Sequence, residues 1–90
     1  MPSVVLNFAA KVKIDMTIEK IFSEVFGLPE SSIIDTLILT EIGSWDSLAH
    51  MILITRLEDT YQIQFNGDQI ADMKSVGDAR KALLAQGANI

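Results

Sequence analysis

Apolar positions recur every three to four residues in three stretches of this chain, and residues that start or stop helices flank each stretch. Ile14, Ile18, Ile21, Phe22 and Val25 make the first stripe, with Glu19, Lys20, Ser23 and Glu24 between them, a helical period. The alternation of Val12, Ile14, Met16 and Ile18 also fits a strand, but the pattern after Ile18 selects a helix. Asp15 or Thr17 is placed to cap its start, and Gly27 with Pro29 two residues on is placed to end it. The second stripe covers residues 47–61, where Met51, Ile54, Leu57 and Tyr61, with Leu53 beside them, are expected to face a core. Leu48 and Ile52 fall toward another face. In a last helix Val76, Ala79 and Leu83 point inward, with Leu84 at the margin, and the helix ends before Gly87. Ser75-Val76-Gly77-Asp78 opens it as a capping box with aspartate in the usual glutamate position. Residues 87–90 are expected to fray.

The connections are less regular. Residues 28–45 form a long link, and a structureless loop of that length is uncommon in a compact domain. Its apolar residues Ile33, Ile34, Leu37, Ile38, Leu39 and Ile42 are suited to anchor it across the helix ends. A single helical turn fits near 30–33 or 37–40. Residues 62–67 alternate, with Ile63 and Phe65 pinning an extended linker, and Asn66-Gly67 marks a turn. Residues 68–73 make a short third helix with Ile70 and Met73 inward. The expected class is all-α, a four-helix bundle of three main helices and one short one.

Composition bounds the function. Ninety residues support one domain, and 49% hydrophobic residues suffice for a modest core. The net charge is −5, with 7 Lys and Arg against 12 Asp and Glu. That balance excludes the clustered bases that nucleic-acid binding needs. The charge is concentrated: across residues 28–72 the acids are Glu30, Asp35, Glu41, Asp46, Glu58, Asp59, Asp68 and Asp72, against Arg56 alone. Such a field steers basic partners toward this region, although a solvated acidic face would by itself serve only solubility. There is no cysteine, which removes disulfides and thiolate metal sites. Val4, Val5, Leu6 and Phe8 form an apolar patch much shorter than the ~20 residues of a membrane span. Lys11 and Lys13 follow it where a signal peptide would have its cleavage site.

The chemistry gathers at Trp45-Asp46-Ser47-Leu48, where the long link meets the second helix. Asp is a preferred N-cap, which places the Ser47 hydroxyl in the first turn beside the positive end of the helix dipole. A phosphate attached there is favoured by that dipole and by unpaired backbone N–H groups. Asp46, Ser47 and His50 also invite a hydrolase reading. However, a capping carboxylate is committed to backbone N–H, no Gly-x-Ser-x-Gly elbow is present, and a triad needs its histidine on both partners. His50 is the single histidine, so no histidine metal cluster forms.

Asp46-Ser47-Leu48, in this order of helices and loops, resembles the Asp-Ser-Leu attachment motif of acyl carrier proteins. The resemblance runs over roughly residues 14–86. It implies a carrier domain there, an N-terminal extension over 1–13, and a 4′-phosphopantetheine arm on Ser47, attached from coenzyme A by a phosphopantetheinyl transferase. Mg²⁺ is needed only in that attachment, and the protein itself is not an enzyme. Asp46 would cap the helix and meet the transferase, while Leu48, His50, Ile52, Glu58 and Asp59 would contact partners. Those partners would be the transferase, an acyl- or aminoacyl-loading ligase and downstream synthase or transferase enzymes. Trp45 would seal the loop against the bundle. The resemblance also implies a cytoplasmic monomer with no membrane span and no nucleic-acid partner. Fatty-acid carriers usually have an acidic front half of the second helix and no Trp before the motif. Ala49, His50, Met51 and Ile52 depart from that form and resemble carriers of specialised pathways, such as polyketide, aminoacyl or surface-polysaccharide biosynthesis. An aminoacyl or peptidyl carrier is the alternative within the class, and an unmodified helical adaptor the alternative outside it. Met51, Ile54, Leu57 and Met73 would line any acyl cavity, although interiors are generally close-packed.

Overall fold

The computed structural model describes residues 17–90; the expectations for residues 1–13, for Ile14 and for Asp15 lie outside them. Among these residues four helices follow in order: α1 (Ile18–Phe26), α2 (Ser47–Tyr61), α3 (Gly67–Asp72) and α4 (Val76–Ala85). The long link holds two 3₁₀ turns, Glu30–Ser32 and Leu39–Glu41, so both of the places considered for a turn carry one. Among the described residues the only β contact is an antiparallel bridge between Ile38 and Ser75.

Each helix start is satisfied by a side chain. Thr17 Oγ1 accepts from the Lys20 N–H, Asp46 from Ala49 and Ser75 from Asp78. Asn66-Gly67, expected as a turn, is the entry to α3. Asn66 accepts from the Gln69 N–H while the Gln69 side chain accepts from the Asn66 N–H, a complete capping box. At α4 the box is altered, because the Asp78 carboxylate accepts from the Lys74 N–H, one residue further back.

The three longer helices end alike. Gly27, Gln62 and Gly87 stand at positive φ, and the next N–H bonds back to the carbonyl five residues earlier: Leu28 to Ser23, Ile63 to Glu58, Ala88 to Leu83. This Schellman closure satisfies orphan carbonyls and turns an apolar residue inward. Ala88 is buried in the core by it, inside the stretch expected to fray.

The core joins Ile18, Ile21, Phe22 and Phe26 of α1 to Leu53, Ile54 and Leu57 of α2 and Val76, Ala79 and Leu83 of α4. Ile33, Leu39 and Ile42 from the long link close one side of it, whereas Ile34 and Ile38, also considered as anchors, are exposed. Two expected core residues lie outside. Met51 is 49% exposed and Leu84 53%, for reasons of helical phase taken up below. α3 has no buried residue of its own and is held by its flanks, Phe65 and Met73. The link is laced onto α4 by backbone bonds from Leu39 N–H to Lys74, Val76 N–H to Leu37 and Gly77 N–H to Asp35. A Cβ on Gly77 would come within 3.1 Å of the Asp35 carbonyl oxygen, so glycine permits this approach.

Candidate functional site

The end of the long link and the start of α2 are fixed from several directions. Ser44 donates its hydroxyl to the Phe26 carbonyl at 2.8 Å, using an acceptor that the end of α1 leaves free. Trp45 N–H bonds to Ile42 at 3.0 Å. Asp46 is extended, with φ −154° and ψ 178°, and its Oδ1 accepts the Ala49 N–H at 2.7 Å. The Asp46 carbonyl takes the His50 N–H at 2.9 Å. The first-turn N–H groups of Ser47 and Leu48 precede these bonds, and helix geometry gives them no intrahelical acceptor. Ser47 is the first residue of α2 and exposed. Its hydroxyl therefore sits in solvent beside two backbone donors and the positive end of a 15-residue helix.

His50 lies differently from the partner-facing role expected of it. The Trp45 indole N–H reaches His50 Nδ1 at 3.3 Å, and His50 Nε2 lies 3.3 Å from the Ile70 carbonyl of α3. The two rings meet edge to face, with centroids 6.0 Å apart and planes at 70°. Both imidazole nitrogens are thus engaged away from Ser47, and Asp46 is engaged with Ala49, so no Ser–His–Asp relay exists. Among the described residues no group of three or more potential ligands could hold a metal.

The remaining expected contacts lie along α2. Leu48 is 71% exposed and Ile52 45%, with Met51 beside them; together they give α2 an apolar outer face beginning one residue after Ser47. Met51 was not foreseen there. Asp59 is exposed. Glu58 is half-buried and accepts the Phe65 N–H at 2.9 Å, pinning the linker to α3. Arg56, the one base in the acidic middle, is paired with Glu24 of α1.

A small bundle with an exposed serine at the Asp46-capped start of a helix has the architecture of a carrier domain. Residues 17–83 match the family described as the phosphopantetheine attachment site. Nineteen chains of solved structures match as well. One is the solution NMR structure of holo acyl carrier protein from Geobacter metallireducens, 32% identical, with a TM-score of 0.69 over 77% of this chain and 79% of that one. No curated protein matches. The chain belongs to the acyl carrier protein family. It is a phosphopantetheine carrier and not an enzyme, a member of a class that works with transferases and synthases. Among the described residues no helix is long and apolar enough to cross a membrane.

Proposed function

We propose that Ser47 is the residue that receives the 4′-phosphopantetheine arm and that the protein carries an acyl intermediate of a specialised cytoplasmic pathway. The observation that carries this reading is the exposed Ser47 hydroxyl at the Asp46-capped start of α2. The residues fit the group: a phosphodiester on Ser47 Oγ would lie beside the Ser47 and Leu48 N–H groups, where an anion is stabilised. In the attachment, Ser47 Oγ attacks the phosphorus that bears pantetheine in coenzyme A. The phosphoanhydride bond breaks, adenosine 3′,5′-bisphosphate leaves and the hydroxyl proton is released. Mg²⁺ brought by the transferase neutralises the diphosphate during that step. When attached, the arm supplies a thiol that holds the acyl group as a thioester.

Asp46 keeps Ser47 outward by capping the helix, and Leu48, Met51 and Ile52 offer an apolar surface beside it for the transferase, a loading ligase and downstream enzymes. Asp59, at the far end of the same helix, adds negative charge that draws basic partners. Ser47→Ala is expected to lose all carrier function while still folded; function kept in Ser47→Ala would overturn the assignment of the arm to Ser47. The cargo reading has its own check, which compares this protein with a fatty-acid carrier as substrate for housekeeping fatty-acid synthase enzymes. A specialised carrier is extended poorly, and extension at the ordinary rate would overturn that assignment.

A further inference from the structure

The bonds around His50 define its tautomer. An indole N–H only donates, so Nδ1 of His50 must accept from Trp45, and in the neutral ring the proton then sits on Nε2. Nε2–H in turn donates to the Ile70 carbonyl. The two contacts require the same tautomer, so they support each other. They also join the chain just before Asp46 to α3. Trp45 is the residue before the capping Asp46. Ile70 belongs to α3, a six-residue helix with no buried side chain. Another side-chain hydrogen bond from α3 to the rest of the bundle runs from Gln86 to Gln69 at 2.7 Å.

We propose that His50 is a positioning residue of the attachment site. It holds Trp45 with one ring nitrogen and α3 with the other, so that the turn carrying Asp46 and Ser47 is presented to the transferase in one pose. This rests on the reading of Ser47 as the attachment residue. Ser44 already ties the incoming chain to α1 through the Phe26 carbonyl; His50 supplies the second tie, from inside α2. Without it the indole loses its acceptor, and the turn loses its tie to α3 while keeping the Ser44 bond to α1. A group-transfer step is sensitive to such loosening, because misplacement by about 1 Å is enough to cost ~10²-fold in rate.

The test uses the full chain, coenzyme A, Mg²⁺ and a broad-specificity phosphopantetheinyl transferase, with His50→Ala, His50→Gln and Trp45→Phe variants. Trp45 is the single tryptophan, so its emission reports the contact directly. His50→Ala is expected to lower kcat/KM for loading about tenfold or more and to shift Trp45 emission to the red. His50→Gln restores most of both, since an amide offers one acceptor and one donor as the neutral imidazole does. Trp45→Phe keeps an aromatic ring without the donor and covers the case in which His50→Ala fails to fold; it loads as slowly as His50→Ala. Loading of His50→Ala at the wild-type rate with unchanged emission would overturn the proposal, as would His50→Gln loading no faster than His50→Ala. If the wild-type chain is not loaded at all, the Ser47 reading fails. The emission comparison then decides by itself whether His50 holds Trp45.

Discussion

Asp46 Oδ1 accepts the Ala49 N–H at 2.7 Å, so the carboxylate is occupied by the helix start and the neighbouring Ser47 hydroxyl stays in solvent. The cap at Asp46 and the placement of Ser47 in the first turn were legible in the sequence because both depend on local chemistry, a capping preference and the position one residue later. The Trp45–His50–Ile70 contact was not, since it needs the direction of a side chain and a backbone carbonyl twenty residues away. A signal was nevertheless present: His50 precedes Ile54 by four, Leu57 by seven and Tyr61 by eleven, which puts it on the inward line of a helix with 3.6 residues per turn. A second contact of long reach is Arg80, which donates to Glu19 of α1 at 2.7 Å and to Asp35 of the long link at 3.0 Å. The Arg80 bond holds the Glu19 carboxyl below its usual range near 4.5, against partial burial, which raises it. Because the folded value is the lower one, this contribution is present at neutral pH and lost as pH falls through the folded value. Glu19→Gln is therefore expected to melt below the wild type at pH 7, with the gap closing below about pH 4.5. A gap that persists in acid would show that the loss comes from packing and not from the ion pair.

At the scale of the element, α2 carries the division of labour. Leu53, Ile54 and Leu57 are buried, whereas Leu48, Met51 and Ile52 are exposed. Met51 stands three residues before Ile54, and that spacing suggested a shared face. At about 100° per residue, however, Met51 lies about 120° from Leu57 and about 60° from exposed Leu48. The whole set of contacts, not one pair, fixes the phase of a helix in its bundle. Leu84 is exposed for the same kind of reason, adjoining buried Leu83 on a narrow α4. Helix ends were easier to read, because Gly27 and Gly87 are punctuation in any sequence. The end of α2 at Tyr61 was also legible, but not the left-handed conformation of Gln62 that closes it, since Gln62 is not glycine. The two faces of α2 predict opposite outcomes for truncation. Leu53→Ala removes buried carbon and is expected to destabilise the fold by about 2–5 kcal/mol. Leu48→Ala and Met51→Ala leave stability within about 0.5 kcal/mol and raise KM for the transferase or a loading enzyme. Denaturant unfolding alongside loading kinetics checks both; strong destabilisation by Leu48→Ala would return that residue to the core.

At the scale of the whole bundle, the described residues hold the exposed Ser47 at the start of α2, above a packed core. The core is assembled from α1, α2 and α4, the long link is laced to α4, and the turn before Ser47 is tied to α1 and, through His50, to α3. Around that turn the middle of the chain carries eight acids, and its one base, Arg56, is paired with Glu24. The charge pattern and the order of elements could be read directly from the sequence, and the number of helices and the class of fold with them. The lacing could not, because backbone bonds such as Val76 N–H to Leu37 carry no side-chain signature. The central claim is that Ser47 is the attachment residue, and the most direct test is intact mass after incubation with coenzyme A, Mg²⁺ and a broad-specificity phosphopantetheinyl transferase, followed by fragmentation to locate the addition. The account predicts a gain of one phosphopantetheine on Ser47 and none in Ser47→Ala. A folded wild-type chain that gains nothing with several transferases, or gains the arm at another residue, would contradict it.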